Sequence, residues 1–391
     1  MVALDTAGDV REGDGDRGVG RAPGERREHG FERGERLDGE VSIYDIAPTV
    51  LHLLGIEVAD TLAGLRRGRE LGGRAITICN AVGQSQLRKP APETIAGSRT
   101  RPVLKIQDGC NAACTYCIVP LARGPSRSLP PNDVIAAVRA VSEAGFHEIV
   151  LSGIHLGHYG RDLSPRTSLV ELLSRIEQST VLPRMRLSSL EPLEFTDELI
   201  ERMTESPRLC HHFHIPLQSG DDLILKKMRR PYTSDEFKQL VFRIHDRIPD
   251  AAIGVDILVG FPGETDEAFN NTYECIRSLP VSYLHVFPFS ARPGTPAAGY
   301  ARRVPSEVIK TRCEHMRRLG KMKRMRFNQN FIGRRIPILV ENTRHKATGF
   351  LKGISSNYLT VLIDTDDSLS NQILSVRVIQ QLENNLLGVI E

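Results

Sequence analysis

Between Arg101 and about Pro288 the chain repeats one pattern. A short run of apolar and β-branched residues is followed by a polar break, then by a longer stretch with apolar residues at helical spacing. Val103–Gln107, Glu148–Leu151, Arg184–Ser188, His212–Ile215, Ala252–Val259 and Tyr283–Phe287 read as strands. Pro131–Ala144, Ser168–Gln178, Thr196–Met203, Leu223–Lys227, Ser234–Arg247 and Glu264–Ser278 read as helices. Pro131, followed by Asn132 and Asp133, suits a first helical turn, and Gly145 suits a stop after Ala144. This alternation predicts an α/β fold with a parallel sheet. Six such units are too few to close an eight-strand barrel. The expectation is therefore an open (βα)6 partial barrel over 100–304, with its site at the carboxyl ends of the strands.

The pattern changes on either side. Residues 305–329 read as a basic helical linker carrying Lys310, Arg312, Arg317, Arg318, Lys321, Lys323, Arg324 and Arg326. Residues 330–391 read as all-β, with strand-like runs Ile336–Glu341, Ala347–Ile354, Tyr358–Ile363 and Ile373–Val378, and predict a small β-barrel or sandwich. Residues 1–40 are dominated by Gly, Arg, Asp and Glu with almost no apolar residues. They cannot offset the entropy of ordering and read as a disordered tail. In 41–66, Pro48 and Gly55 suit the start and stop of a helix, and 67–99 read as linker with one apolar run, Ala75 to Cys79.

Composition narrows the class. The 391 residues carry a net charge of +3, too small to argue nucleic-acid binding unless the charge clusters. Seven cysteines, three of them in one loop, suit a reducing cytoplasm better than a disulfide framework. No apolar run approaches a membrane span, and Met1-Val-Ala-Leu-Asp5 has neither the basic nor the apolar region of a secretory leader. The expectation is a cytoplasmic protein with no membrane partner.

The candidate chemistry lies in Cys110-x-x-x-Cys114-x-x-Cys117, which follows the first strand. Thiolates this close can each bind a different iron of one cubane cluster. A zinc site would want a fourth nearby Cys or His, and a disulfide would leave one of the three unpaired. Three thiolates on four irons leave one iron open to an outside ligand. Further motifs sit at successive predicted strand ends: Leu151-Ser-Gly-Ile-His-Leu-Gly157, Arg186-Leu-Ser-Ser-Leu-Glu-Pro192, His212-Phe-His-Ile-Pro-Leu-Gln-Ser-Gly220, Asp256-Ile-Leu-Val-Gly-Phe-Pro-Gly-Glu-Thr265 and His285-Val-Phe-Pro-Phe-Ser-Ala-Arg-Pro-Gly-Thr295. Met228-Arg-Arg-Pro-Tyr-Thr233 follows the fourth.

The cysteine spacing, with Tyr116 before the last cysteine, resembles the radical S-adenosylmethionine enzymes. The ordered motifs from about residue 98 onward resemble their tRNA methylthiotransferase family. The Gly-Ile-His-Leu-Gly and Arg-Leu-Ser-Ser-Leu-Glu-Pro forms resemble most the branch acting on N6-threonylcarbamoyladenosine beside the anticodon. Residues 330–391 resemble the TRAM domain, an RNA-binding β-barrel. The resemblance implies one 4Fe–4S cluster on Cys110, Cys114 and Cys117, with S-adenosylmethionine on its open iron, cleaved to a 5′-deoxyadenosyl radical. It implies contacts to S-adenosylmethionine from Gly153, His155, Ser189, Glu191, Gln218, Ser219, Gly260, Phe261 and Pro262. It implies tRNA as partner, gripped by the basic stretch and the β-barrel, together with an electron donor and a sulfur source that the sequence does not name. The reaction implied puts a methylthio group at C2 of the modified adenine. The rival readings are methylthiolation of a ribosomal-protein aspartate and a non-catalytic tRNA-binding iron–sulfur protein.

Two departures qualify the resemblance. The family carries an N-terminal domain with a second three-cysteine set for sulfur delivery, whereas only Cys79 precedes Arg101 here, which puts sulfur insertion in question. Ser42 to Gly55 instead resembles a short segment of alkaline-phosphatase-superfamily phosphodiesterases, without that family's metal ligands or nucleophile. The remaining cysteines Cys210, Cys275 and Cys313 are expected to be packed thiols, and most of the histidines structural.

Overall fold

The computed structural model describes residues 99–390, Leu87, and the backbone of two short strands, β1 (Arg69–Leu71) and β2 (Arg74–Ile76). β1 and β2 pair antiparallel, with Arg69 opposite Ile76, inside the stretch read as linker. The expected tail over 1–40, the phosphodiesterase-like segment and Cys79 lie outside the described residues.

From Arg99 onward the alternating pattern becomes two parallel half-sheets. β3 (Val103–Lys105), β6 (Glu148–Ser152) and β7 (Arg184–Leu187) form one; β8 (His212–Gln218), β9 (Ala252–Val259) and β10 (Tyr283–Pro288) form the other. Register runs in chain order, with Val103 beside Val150, Glu148 beside Arg184, His212 beside Ala252 and Gly254 beside Tyr283. A parallel bridge, Met185 to Leu209, and the bond from Leu190 N to His214 O join the halves. The result is the open six-strand barrel expected. The first predicted strand is split: Ile106 leaves β3, and Gln107–Asp108 (β4) pairs antiparallel with Arg127–Ser128 (β5).

The helices are α1 (Val119–Arg123), α2 (Pro131–Glu143), α3 (Leu169–Ser179), α4 (Asp197–Glu205), α5 (Asp222–Lys227), α6 (Ser234–Arg247) and α7 (Asp266–Ser278). Their starts are set by side-chain caps. Ser168, Thr196, Asp221, Thr233 and Thr265 each accept a first-turn N–H, and Thr233 forms a reciprocal box with Glu236. One apolar core joins the strands to the inner faces of α2, α3, α4, α6 and α7. The long helix α8 (Ser306–Gln329) lies along β10, burying Cys313, Met316 and Leu319 in that core, and so covers an edge strand. Cys210 and Cys275 are buried thiols as expected. Glu264, expected to open α7, instead points inward to Arg312 of α8, Oε1 to Nη1 at 2.6 Å.

Not all of the basic stretch faces solvent. Arg312 is buried on Glu264 and Asp266, Lys323 donates to the carbonyls of Arg277 and Leu279, and Arg324 lies 4.5 Å over the Tyr283 ring. Burial pulls the Lys323 ammonium down to about 8. The exposed cations are Lys310, Arg317, Arg318, Lys321 and Arg326.

The carboxyl-terminal region closes into a barrel in the order β11 (Arg335–Arg344), β12 (Leu351–Ser355), β13 (Thr360–Ile363), β15 (Asn385–Ile390) and β14 (Ile373–Leu382). The sequence reading has four of these strands. The fifth, β15, pairs parallel with β13 and antiparallel with β14 and completes the closure. This barrel is locked to the amino ends of β6, β7 and β8. Arg184 donates to the carbonyls of Ile354 and Pro337, and Arg186 to those of Ser355 and Ser356. Fully buried Glu148 accepts from Arg186 at 2.8 Å, and Tyr358 stacks 4.3 Å from His212.

Candidate functional site

The cysteine loop connects β4 to α1 and is tied at several points. Gly109 holds φ +74°, and a Cβ there would overlap the carbonyl of Pro125, so the turn into the loop requires glycine. Cys110 N donates to Gly124 O at 3.1 Å. Buried Gln107 donates to Gly109 O at 2.8 Å and to Ser126 Oγ at 2.9 Å, and its Oε1 accepts the His155 N–H at 2.7 Å. Thr115 donates its N–H to Met228 O and its hydroxyl to Lys227 O, while Ala297 N donates to Thr115 O. Tyr116 meets Phe261 edge to face at 6.5 Å. The loop is thus built against the ends of β6, β8, β9 and β10 before any ligand is considered.

The three thiols are half-buried and free of disulfides. Burial pushes Cys117 up to about 11, so a proton stays on that sulfur unless a metal ion replaces it. Two cationic side chains face the other sulfurs. Arg230 Nη1 donates to Cys114 Sγ at 3.4 Å, and His155 Nδ1 lies 3.3 Å from Cys110 Sγ. Three free thiols on one loop, faced by nitrogen donors instead of acids, are a donor set that fits a thiolate-bound iron–sulfur cluster.

The residues expected to contact a cofactor all lie at carboxyl ends of strands, in different settings. Gly153 follows β6 with its N–H on Ser188 Oγ at 3.3 Å, and a Cβ there would press on Gln107. His155 is buried and stacked 3.7 Å from His158, with Nε2 2.6 Å from Glu194 Oε1. Desolvation alone would lower its pKa, but hydrogen bonds to Cys110 and Glu194 outweigh it and raise it to about 10. Ser189 follows β7 and meets His214 Nδ1 at 2.9 Å. Glu191 pairs with Arg230, and burial outweighs that cation and lifts its carboxyl above the usual range.

Gln218 ends β8 at a register shift, with φ 69°. Left-handed backbone in a non-glycine residue costs about 1–2 kcal/mol and is held here by the bulge. Ser219 is buried with its hydroxyl 3.2 Å from Thr272 Oγ1, on the helix side of the sheet. Gly260 has φ +83°, and Phe261 and Pro262 are buried, Phe261 in a small apolar cluster with Ile224, Met228, Ala268 and Ala297. The structure therefore brings His155, Glu191 and Phe261 to the cysteine loop, the first two through a shared set of polar contacts, while Ser189 and Ser219 are spent on neighbouring side chains.

Sequence reasoning missed four members of this site. Arg230 stands in Met228-Arg-Arg-Pro-Tyr-Thr233, a motif recognised without a role. Glu194 and Gln107 carry no signal of their place in the site, because the contacts that tie them to it, Glu194 to His155 and Gln107 to the His155 N–H, cross from one strand end to another. Asp256 accepts from His214 Nε2 at 2.7 Å and from His285 Nδ1 at 3.2 Å. Burial would raise this carboxyl, but the two histidines hold it at about 2.

The sequence profile of the radical SAM superfamily matches residues 104–276. The chain is 36% identical over 290 residues to the tRNA-2-methylthio-N(6)-dimethylallyladenosine synthase of Pelotomaculum thermopropionicum, covering 74% of this chain and 65% of that protein. It is 37% identical over 285 residues to the threonylcarbamoyladenosine tRNA methylthiotransferase MtaB of Bacillus subtilis, covering 72% and 63%. It is 40% identical over 235 residues to a second tRNA-2-methylthio-N(6)-dimethylallyladenosine synthase, from Thermobifida fusca, covering 60% and 48%. The chain spans less than two thirds of the length of these relatives. The matched region encloses the cysteine loop and the ends of β6, β7, β8 and β9, so the chain carries a radical SAM domain, and over 74% and 72% of its length it is similar to the first two of these tRNA-modifying relatives.

Proposed function

We propose that this chain is a radical SAM enzyme acting on tRNA, of the type that methylthiolates C2 of N6-threonylcarbamoyladenosine beside the anticodon. The observation that carries the reading is the cysteine loop: three half-buried thiols at the carboxyl end of the first strand, faced by Arg230 and His155. Cys110, Cys114 and Cys117 would hold the 4Fe–4S cluster, which when bound supplies the electron that cleaves S-adenosylmethionine. The chain's own residues tie the loop to the strand ends through Gln107, Thr115 and Ala297 and pack Tyr116 against buried Phe261. Relatives named for dimethylallyladenosine and for threonylcarbamoyladenosine match at nearly equal identity, so the substrate branch rests on the Gly-Ile-His-Leu-Gly and Arg-Leu-Ser-Ser-Leu-Glu-Pro motifs. The exposed cations of α8 and the carboxyl-terminal barrel support binding of a polyanion. The test is nucleoside mass spectrometry of tRNAs carrying either modified adenine after incubation with the reconstituted chain. Product on the threonylcarbamoyladenosine tRNA alone supports the branch, and product on the dimethylallyladenosine tRNA alone overturns it.

A further inference from the structure

Arg230 and His155 come from different strand ends, yet both are anchored by one short turn. Glu191 and Glu194 bracket the 3-10 turn Pro192–Glu194, which is closed by a reciprocal box between the two glutamates. Glu191 pairs with Arg230, and Glu194 Oε1 lies 2.6 Å from His155 Nε2. A second nitrogen of each side chain points at a cysteine sulfur: Arg230 Nη1 at Cys114 Sγ, 3.4 Å, and His155 Nδ1 at Cys110 Sγ, 3.3 Å. Arg230 is fixed further by Nε donating to Tyr232 Oη at 2.8 Å, and the His155 backbone N–H by Gln107. Neither side chain is free to swing away.

We propose that Arg230 and His155, each anchored by a carboxylate of the Glu191–Glu194 turn, set the reduction potential of the cluster held by the three cysteines. The inference rests on the cluster reading above. A sulfur bonded to iron has no proton to give, so each contact is made by an N–H of the neighbouring side chain. Guanidinium donates from every nitrogen. An N–H directed at a cluster sulfur withdraws charge and favours the reduced, more negative state, which raises the potential. The two residues are positioning residues: they act on the cluster's electronics and are not required to touch the substrate.

The experiment is an anaerobic redox titration of the reconstituted full chain without S-adenosylmethionine, followed by visible absorbance and electron paramagnetic resonance, with iron content measured on each sample. Arg230→Lys keeps the positive charge but cannot pair with Glu191 and reach Cys114 together. His155→Phe keeps the stack on His158, which lies 3.7 Å from Glu194 and can balance it. Each variant is expected to lower the equilibrium constant for reduction about tenfold, 59 mV for a one-electron couple, and the double variant to fall further. Arg243→Met, a surface cation paired with Asp197, should leave the midpoint unchanged. Full iron with a wild-type midpoint in both single variants overturns the inference. Should one variant fail to load iron, the other decides. A wild-type chain that binds no iron contradicts the cluster reading itself.

Discussion

At the scale of single residues the account depends on groups whose conformation or charge is dictated by neighbours. Gly109 must adopt φ +74° with the Pro125 carbonyl where its side chain would be. Gly109→Ala should therefore displace the cysteine loop and reduce iron bound per chain on reconstitution, approaching the loss expected of Cys114→Ala. Wild-type iron loading by the alanine variant would show that the loop tolerates the shift. Asp256 offers a pH test. Its folded-state pKa, about 2, lies below the ordinary 3.8, so the ionised carboxylate contributes stability above about pH 4. That contribution fades as pH falls toward 2. With a side chain only 18% exposed, the shift corresponds to about 2 kcal/mol. Urea unfolding of Asp256→Asn should show a deficit of that order at neutral pH, closing as acid approaches pH 2. A deficit independent of pH would assign the loss to packing. Residue-scale chemistry was legible where it is local, as in the cysteine spacing. It was not legible for Arg230 and Glu194, because nothing in a sequence says which strand ends a barrel brings together.

At the scale of elements, apolar period and caps place the six parallel strands and α2 to α7 to within a few residues, while the short helix α1 and strand β5 beside the cysteine loop carry no such signal. The exceptions have physical causes. β15 was missed because Gly388 interrupts its apolar run; in the barrel a Cβ there would press on Val361, so the packing requires the interruption. The sequence shows α8 as a basic stretch, but composition does not say which of its cations the helix turns inward. Its two classes of cation make separable predictions. Replacing Lys310, Arg318, Lys321 and Arg326 by glutamine should weaken tRNA binding and flatten its salt dependence, with little change in thermal stability. Each lost phosphate contact should reduce the log–log slope by about 0.7 to 0.9. Arg312→Ala should do the reverse. It strands the buried carboxylate of Glu264, destabilising the fold by about 3 kcal/mol in chemical denaturation. Unaltered affinity in the glutamine variant would show that α8 takes no part in the proposed tRNA binding.

At the scale of the whole molecule, the carboxyl-terminal barrel is structurally continuous with the radical SAM barrel. Arg184 and Arg186 have four of their acceptors on residues 337–356, and Glu148 is fully buried between the two. A chain ending at residue 329 should lose cooperative unfolding as well as RNA affinity. A truncated chain that melts like the full one would show the barrel to be a detachable module. No described helix is long and apolar enough to cross a membrane. The central claim, that the cysteine loop and strand ends form a working radical SAM site, is tested most directly by one measurement. The 391-residue chain is reconstituted anaerobically with iron and sulfide, reduced, given S-adenosylmethionine, and assayed by chromatography for 5′-deoxyadenosine. The wild-type chain is expected to yield 5′-deoxyadenosine and the Cys114→Ala chain none. A chain with a full cluster that yields no 5′-deoxyadenosine under any reductant would contradict it.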